Sequence, residues 1–163
     1  MSIFNPYKAG KHEKREMKPI KVRIVNRDIY PNGLSDCKNG DWIDLRVVKD
    51  YELKKGESAL LDLGVAMRLP DGYEAHLVPR SSTFKNWHII QTNSMGVIDN
   101  KFSGENDIWK MPVLAITDTT IRAGDRVCQF RIEKKMNNKR HPLVEVEHLE
   151  GPDRGGFGST GTN

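Results

Sequence analysis

Short apolar runs rich in β-branched residues, each closed by a turn signal, dominate this sequence and limit the folds open to it. The runs lie between residues 20 and 149 and read IKVRIV, WIDLRVV, ALLDLGVAMRL, YEAHLV, MPVLAIT, RVCQFRI and PLVEVEHL. The glycine, asparagine and proline residues that turns require lie between them, in KKGE (54–57), PDG (70–72), RAGD (122–125) and MNNKRHP (136–142). We expect each run to be a strand and only residues 82–86 to form a helical turn. The pattern therefore predicts an all-β sandwich or barrel, jelly-roll-like in its organisation.

The two ends of the chain differ from its middle in composition and in hydrophobic pattern. Residues 1–18 are polar and unpatterned, which predicts an N-terminal extension. Residues 150–163 contain five glycines and no strand pattern, which predicts a flexible C-terminal arm. The folded domain is expected over residues 19–149. At 163 residues the chain is long enough to bury about 68–70% of its extended surface.

Composition excludes several classes of protein. No apolar run approaches the ~20 residues of a membrane span, and the N-terminus does not have the order of a secretory signal. Cys37 and Cys128 have no CxxC spacing, so we expect reduced thiols and a cytoplasmic location. The net charge of +4 is concentrated in two clusters, residues 8–18 and 134–141, without interleaved aromatic residues. We therefore expect neither a nucleic-acid partner nor a membrane.

The glycine-rich arm is the first candidate for chemistry. Its segment RGGFGSTG (154–161) has a backbone that can wrap an anion, with hydroxyl donors and the cationic fork of Arg154. Phe157, in a mobile polar loop, is suited to stacking on a flat ligand such as a nucleobase. The alternative is an ordinary disordered glycine-rich tail. Because no GK[ST] follows, this is not a Walker A loop.

Two further segments have the residue types of a binding site. In VPRSS (78–82) a proline ends a strand and presents an arginine and two hydroxyls, which suits phosphate, although a capped surface turn has the same composition. In NSMGVIDNKFSG (93–104) Asp99 follows an apolar pair at a strand end, where a carboxylate can act as a general base. The alternative there is a solvated turn aspartate. Asp41 and Asp44 flank another strand entrance and are a paired-carboxylate candidate, although such residues are usually structural.

The order of these segments resembles that of a known family. GDWIDLRV (40–47), PRSS (79–82), NSMGVIDNKFSGE (93–105), GDRVCQF (124–130) and RGGFGSTG (154–161) resemble the five ordered motifs of the trimeric dUTPase family. The resemblance runs from about residue 41 to residue 162. The segments WIDLR, PRSSTFKN and NSMGVID are similar to the corresponding segments of the branch found in Gram-positive bacteria and their phages.

The resemblance implies a fold, an assembly and a reaction. The fold would be a jelly-roll β-barrel of the dUTPase type. It would assemble as a homotrimer whose shared active sites combine motifs of more than one chain and are closed by the arm. The reaction would be Mg²⁺-assisted hydrolysis of dUTP to dUMP and pyrophosphate, which keeps uracil out of DNA and supplies dUMP for thymidylate synthesis. Attack by an aspartate-activated water would fall on the α-phosphorus.

The resemblance also assigns roles residue by residue. The catalytic residues would be Asp99, Gln129 and Ser81. The phosphates would be bound by Arg80, Ser81, Ser82, Arg154, Ser159 and Thr160. Uracil and deoxyribose would be bound by Asn93, Gly96, Val97, Ile98, Asp99, Phe102 and Phe157. The metal would be held mainly by substrate phosphates and water, with Asp44 in its outer shell.

Two departures and two alternatives accompany this assignment. Phe102 stands where the family usually has tyrosine, so the ring that excludes a 2′-OH remains while its hydroxyl is absent. Only two residues separate Arg154 from Phe157, fewer than usual, which bears on how Arg154 reaches the γ-phosphate. The alternatives are a related dCTP deaminase and a dUTPase-fold regulatory module that binds another protein, for which residues 1–18 would be a docking element.

Overall fold

The computed structural model describes residues 19–37, 40–153 and 155, and these residues are almost entirely β-structure. Within them there are eleven strands, one five-residue helix and one 3-10 turn. The strands are β1 (Lys21–Ile24), β2 (Ile43–Arg46), β3 (Tyr51–Leu53), β4 (Ser58–Asp62), β5 (Val65–Arg68), β6 (Tyr73–Pro79), β7 (Ile89–Gln91), β8 (Gly96–Asp99), β9 (Lys110–Ala115), β10 (Thr119–Ile121) and β11 (Arg126–Lys134). The 3-10 turn spans Ser35–Cys37 and the helix, α1, spans Thr83–Trp87. The expected all-β fold is confirmed, and α1 is the helical turn expected over residues 82–86, whereas the sequence pattern does not predict the 3-10 turn Ser35–Cys37. The expected extension over residues 1–18 lies outside the described residues.

The strands pair into four antiparallel sheets. The largest has the order β2-β11-β6-β8, and a three-stranded sheet has the order β4-β9-β7. Two-stranded pairs, β1-β5 and β10-β3, complete the described pairing. Non-consecutive strands are neighbours throughout, as in a jelly roll, where long connections return the chain to distant partners. This topology places β6 in the middle of the largest sheet, between β11 and β8.

One buried cluster joins the sheets. Its largest members include Trp109, Leu45, Leu61, Leu77 and Met111, each at most 1% exposed. Trp109 packs edge-on against Phe130 of β11 with ring centroids 5.1 Å apart, the arrangement that aromatic quadrupoles favour. The alternation of apolar residues along the strands directs these side chains inward. In the described part of the chain, no helix has the length and apolarity to cross a membrane.

Glycine divides one of the expected strands. The run ALLDLGVAMRL forms two strands, β4 and β5, rather than one, because Gly64 adopts φ +64° between them. A Cβ at this position would lie 2.3 Å from Cγ1 of Val48, so the turn needs glycine for both its backbone angle and its space. The sequence pattern does not predict strands β3, β7 and β10, because each has three residues, too few to show the alternation of apolar and polar side chains.

The expected strand over residues 142–149 is wrong for the single chain. The last described strand, β11, ends at Lys134, and no strand is present in residues 135–153. The alternating residues are there, but Leu143 and Leu149 are 88% and 89% exposed. A strand needs an edge to pair with, and none of the described strands pairs with this segment.

Two buried ionisable groups, Tyr30 and Cys128, make the free energy of unfolding depend on pH in the alkaline range. Tyr30 is 1% exposed; its hydroxyl accepts a hydrogen bond from Arg46 N–H (2.7 Å) and lies 3.0 Å from the Leu63 carbonyl oxygen, to which it can donate. Burial raises the pKa of Tyr30 well above its ordinary value of 10. Burial, with a contribution from the Asp44 charge, likewise raises the pKa of Cys128 above its ordinary range. Both groups therefore keep their protons in the folded protein at pH values where they ionise in the unfolded chain.

We expect the free energy of unfolding to fall as the pH rises above about 9. In the unfolded chain the thiol and phenol ionise near about 8.5 and 10, while the folded chain keeps both protons, so alkaline pH favours unfolding. The slope approaches about 1.4 kcal/mol per pH unit for each group fully ionised on unfolding. Urea titrations at pH 7.5, 9 and 10 measure it, and Cys128→Ala should flatten the first part of the decline. A stability that stays constant from pH 8 to pH 10.5 would contradict this account.

Candidate active site

The segment after β6 is held in place by a buried hydroxyl. Pro79 ends β6 as expected, and the backbone N–H of Arg80 donates to Thr83 Oγ1 at 2.9 Å. Thr83 is fully buried, and its hydroxyl in turn donates to the Val127 carbonyl at 2.7 Å. These two bonds fix the start of the PRSS segment against β11 and leave Ser81 exposed to solvent. Sequence reasoning missed Thr83, although a threonine three residues after the arginine is the spacing of a side-chain-capped turn.

Asp44 joins two arginines at the same end of the sheet. Its carboxylate is 7% exposed and accepts from Arg80 Nε at 2.9 Å through Oδ1 and from Arg126 Nη1 at 3.2 Å through Oδ2. Arg80 also donates through Nη1 to the Arg126 carbonyl at 3.3 Å. Two guanidinium groups share one carboxylate, so the cluster retains a net positive charge. Such a cluster favours anionic oxygens, and a fixed planar guanidinium suits phosphate.

Gln129 lies beside this cluster. On β11 it is opposite Asp44 of β2 on one side and Val78 of β6 on the other. Its side-chain Nε2 donates to the Pro79 carbonyl at 3.3 Å. The structure therefore brings together Asp44, Arg80 and Gln129, three residues that lie in three separate motifs of the sequence.

The third motif forms an edge strand on the other side of β6. β8 carries Asp99 at its end, as expected, opposite Glu74, and Gly96 lies opposite Leu77. Asp99 is exposed, and its Oδ1 accepts from the Lys101 N–H at 2.6 Å. In residues 40–153 no arginine or lysine side chain forms an ion pair with Asp99.

The remaining residues of this motif surround β8. Phe102 is 43% exposed, and its backbone N–H donates to the Asp99 carbonyl at 3.0 Å. Asn93 lies in the turn between β7 and β8, where Ser94 has φ +58°. Val97 is 56% exposed, whereas Gly96 and Ile98 are half-buried. Asn93, Gly96, Asp99 and Phe102 thus share one edge of the molecule, as their spacing predicts.

The two groups of residues do not meet within one chain. Asp99 pairs with Glu74 and Gln129 with Val78, on opposite sides of β6. Four residue steps along the strand and two strand spacings across the sheet separate their backbones by about 16 Å. That is too far for the two side chains to hold one water molecule. The site residues expected from the sequence therefore fall into two separate groups, which for the proposal below we call the phosphate end (Asp44, Arg80, Gln129) and the base end (Asn93, Asp99, Phe102), and together the two half-sites.

The fifth motif cannot be placed. Arg154, Phe157, Ser159 and Thr160 lie outside the described residues, so the expected clamp and stacking ring are not located by the structure.

The side chains available as metal ligands indicate how the expected Mg²⁺ could be held. In the described residues no three side chains among His, Cys, Asp and Glu come together as a cation cage. Both oxygens of Asp44 are already bonded to arginines. The arrangement fits Mg²⁺ that arrives on phosphate oxygens better than Mg²⁺ held by the protein, because Mg²⁺ commonly keeps waters and substrate phosphates as ligands.

Comparison with known proteins gives a consistent result. A family model described as dUTPase matches residues 42–161. The SPbeta prophage-derived deoxyuridine 5′-triphosphate nucleotidohydrolase of Bacillus subtilis is 54% identical over 143 residues, which cover 88% of this chain and 99% of that protein. A relative from a Gram-positive prophage agrees with the branch expected from the motifs.

Solved structures agree on the fold. The Staphylococcus bacteriophage 80alpha dUTPase mutant with dUpNHpp has a TM-score of 0.68 at 17% identity, covering 90% of this chain and 100% of that chain. A mutant dUTPase from phage phi11 of S. aureus, which reveals the coordination of a structural Mg(II) ion, has a TM-score of 0.66 at 18% identity, covering 82% of this chain and all of that one. With the family model matched over most of its length and a relative at 54% identity, this chain belongs to the dUTPase family.

Proposed function

We propose that this protein hydrolyses dUTP to dUMP and pyrophosphate. The observation that carries the proposal is the Asp44–Arg80–Arg126 cluster beside Gln129, a cationic site at the end of β6 that suits a triphosphate. Membership of the dUTPase family and the nucleotidohydrolase relative favour this reaction over the two alternatives, a dCTP deaminase and a regulatory binding module. The proposed place of action is the cytoplasm.

At the phosphate end, the chain's own residues neutralise and orient the triphosphate. Arg80 offers its remaining N–H groups to phosphate oxygens while Asp44 fixes its angle. The hydroxyls of Ser81 and Ser82 add donors, and Ser81 stabilises charge developing on the leaving pyrophosphate. Mg²⁺ bound with the phosphates would supply further charge neutralisation, and Asp44 would contact its outer shell of water.

At the base end, the edge of β8 receives the nucleoside. Asp99 orients and deprotonates the attacking water, which Gln129 helps to position. Phe102 packs beneath deoxyribose and leaves no room for a 2′-OH. Asn93 and the backbone of residues 96–98 read uracil, in a slot too tight for the methyl group of thymine.

The fifth motif completes the site in this proposal. Arg154, Ser159 and Thr160 hold the terminal phosphate, and Phe157 stacks over uracil. In this proposal these contacts with the bound substrate exclude water from the reaction.

The proposal requires more than one copy of the chain, and we propose a homotrimer. The 16 Å between the half-sites is supported by β-strand register, and it means that Asp99 of one copy must face Gln129 of another. Residues 143–149 point to the same arrangement, because exposed alternating leucines and valines need a strand edge, and none of the described strands pairs with them. Analytical ultracentrifugation of the full chain measures the assembly, and a monomer that is active would contradict shared sites.

Pyrophosphate release tests the reaction directly. The full chain with Mg²⁺ is assayed in parallel on dUTP, dTTP, dCTP and UTP. We expect release from dUTP alone, since the other three fail on the methyl group, the base edge or the 2′-OH. Ammonia release from dCTP would instead support the deaminase. No reaction with any nucleotide would support a binding module, for which nucleotide-dependent capture of a protein partner is the following experiment.

A further inference from the structure

Gln91 is a buried polar residue behind the base end that no motif includes. It ends β7 and is 4% exposed. Its Nε2 donates to the Leu77 carbonyl at 3.2 Å and to Asn93 Oδ1 at 2.8 Å. Its Oε1 is buried and has no hydrogen-bond partner among the described residues. Burying an amide costs free energy that an apolar side chain would not, so the two donated bonds point to a role in orienting the groups that accept them.

The three groups form a chain of fixed polarity. A backbone carbonyl can only accept, so the Gln91 atom that faces Leu77 must be the amide nitrogen. The same nitrogen faces Asn93, so the Asn93 atom on that side must be the oxygen. The Asn93 side chain is exposed, and its NH₂ group then points away from Gln91. The β6 backbone thereby dictates, through Gln91, that Asn93 presents hydrogen-bond donors at its free end.

We infer that Gln91 is a positioning residue that sets the choice of uracil over cytosine. The inference rests on the proposed function, in which Asn93 meets the base. Uracil and cytosine differ at ring position 4, where uracil has an oxo acceptor and cytosine an amino donor. An Asn93 held with its NH₂ outward pairs with the oxo group and opposes the amino group. An Asn93 free to rotate by 180° offers its oxygen and accepts cytosine.

Gln91→Glu changes the hydrogen-bonding groups of the side chain with almost no change in its shape. It therefore tests whether Gln91 sets the orientation of the Asn93 amide. Glutamate has at most one O–H donor in place of the two N–H donors of Gln91, and the Leu77 carbonyl takes that donor when it is present. No donor is then left for Asn93, so the Asn93 amide turns its NH₂ inward and its oxygen outward. We expect the ratio of kcat/KM for dUTP to that for dCTP to fall by roughly tenfold or more, mostly through KM. The ratio for dUTP to dTTP should remain unchanged, because thymine also has the 4-oxo group and is rejected by shape. A merely structural loosening would relax both ratios together.

A second variant and a neighbouring control keep the test decisive. If Gln91→Glu does not fold, Gln91→Met removes both donors while filling a similar volume, and the dUTP to dCTP ratio should fall again. Thr92→Ser, the adjacent exposed residue, should leave both ratios at the wild-type values. An unchanged dUTP to dCTP ratio in a folded Gln91 variant, beside an active wild type, overturns the inference.

A binding measurement separates this inference from the proposed function. NMR titration of the full chain with dUMP and dCMP reports base preference without turnover. If wild type releases no pyrophosphate from dUTP yet prefers dUMP, and Gln91→Glu loses that preference, the catalytic proposal fails while the role of Gln91 stands. Equal affinity of wild type for the two nucleotides overturns the role of Gln91.

Discussion

Replacement of Asp99 by asparagine is expected to lower kcat for dUTP by about 10²–10⁴-fold while binding and assembly remain intact. Asparagine has the same shape, and its oxygen can still accept from the Lys101 N–H, so the local turn is preserved. What is lost is the capacity to take a proton from water. Single-turnover kinetics and the affinity for a non-hydrolysable dUTP analogue, measured on the same preparation, separate chemistry from binding.

An exposed aspartate nearby provides the matched control. Asp71 accepts a hydrogen bond from Asn100 Nδ2 at 3.0 Å and lies outside the proposed site. Asp71→Asn makes the same chemical change and should leave kcat within about twofold of wild type, the range of a typical surface substitution. If Asp99→Asn also keeps kcat within twofold, Asp99 is not the general base.

Asp44→Asn is expected to affect both catalysis and stability. The substitution leaves Arg80 and Arg126 facing an amide that can accept from one of them while its NH₂ opposes the other. We expect kcat/KM for dUTP to fall by about 10²-fold, since misplacement of a phosphate-binding arginine by about 1 Å has that effect. The free energy of unfolding should fall by about 2 kcal/mol, less than for a fully buried pair because Arg126 is 42% exposed. Urea denaturation and steady-state kinetics measure the two effects.

The surface pair of Asp50 and Arg122 is the control for this variant. It has a shorter contact, 2.7 Å, but its side chains are 52% and 61% exposed. Asp50→Asn should therefore change the unfolding free energy far less than Asp44→Asn does and leave activity unchanged. Equal losses of stability in the two variants would mean that burial does not distinguish the Asp44 cluster.

Local sequence signals predicted the parts of the site that depend on neighbours in the chain. Pro79 does end a strand and Asp99 does end the next edge strand, because proline and a polar residue after an apolar pair act on the backbone beside them. The division of ALLDLGVAMRL at Gly64 depended on contact with Val48, which lies in a different part of the sequence. Spacing cannot report such a contact.

The missed residues of the site are missed for the same reason. Thr83, Arg126 and Gln91 matter through bonds to Val127, Asp44 and Leu77, which are 44, 82 and 14 residues away in sequence. Residues 142–149 show the converse case. Their alternation is a genuine strand signal, yet the structure of one chain contains no strand there, because the partner edge that we propose belongs to another copy.

The position of β6 also has a genetic consequence. In the proposed trimer one strand serves two different active sites, since Arg80 follows one of its ends and Asp99 pairs near the other. In a mixed trimer, a chain defective only at Asp99 therefore inactivates the sites to which it contributes its base end. A chain defective only at Asp44 inactivates the sites to which it contributes its phosphate end. Some interfaces of such a mixed trimer unite two intact halves, so two alleles that are each inactive alone can complement one another. A substitution that distorts β6 itself would disrupt both the phosphate end and the base end of its chain. We expect such a chain to inactivate the sites that it shares with wild-type chains instead.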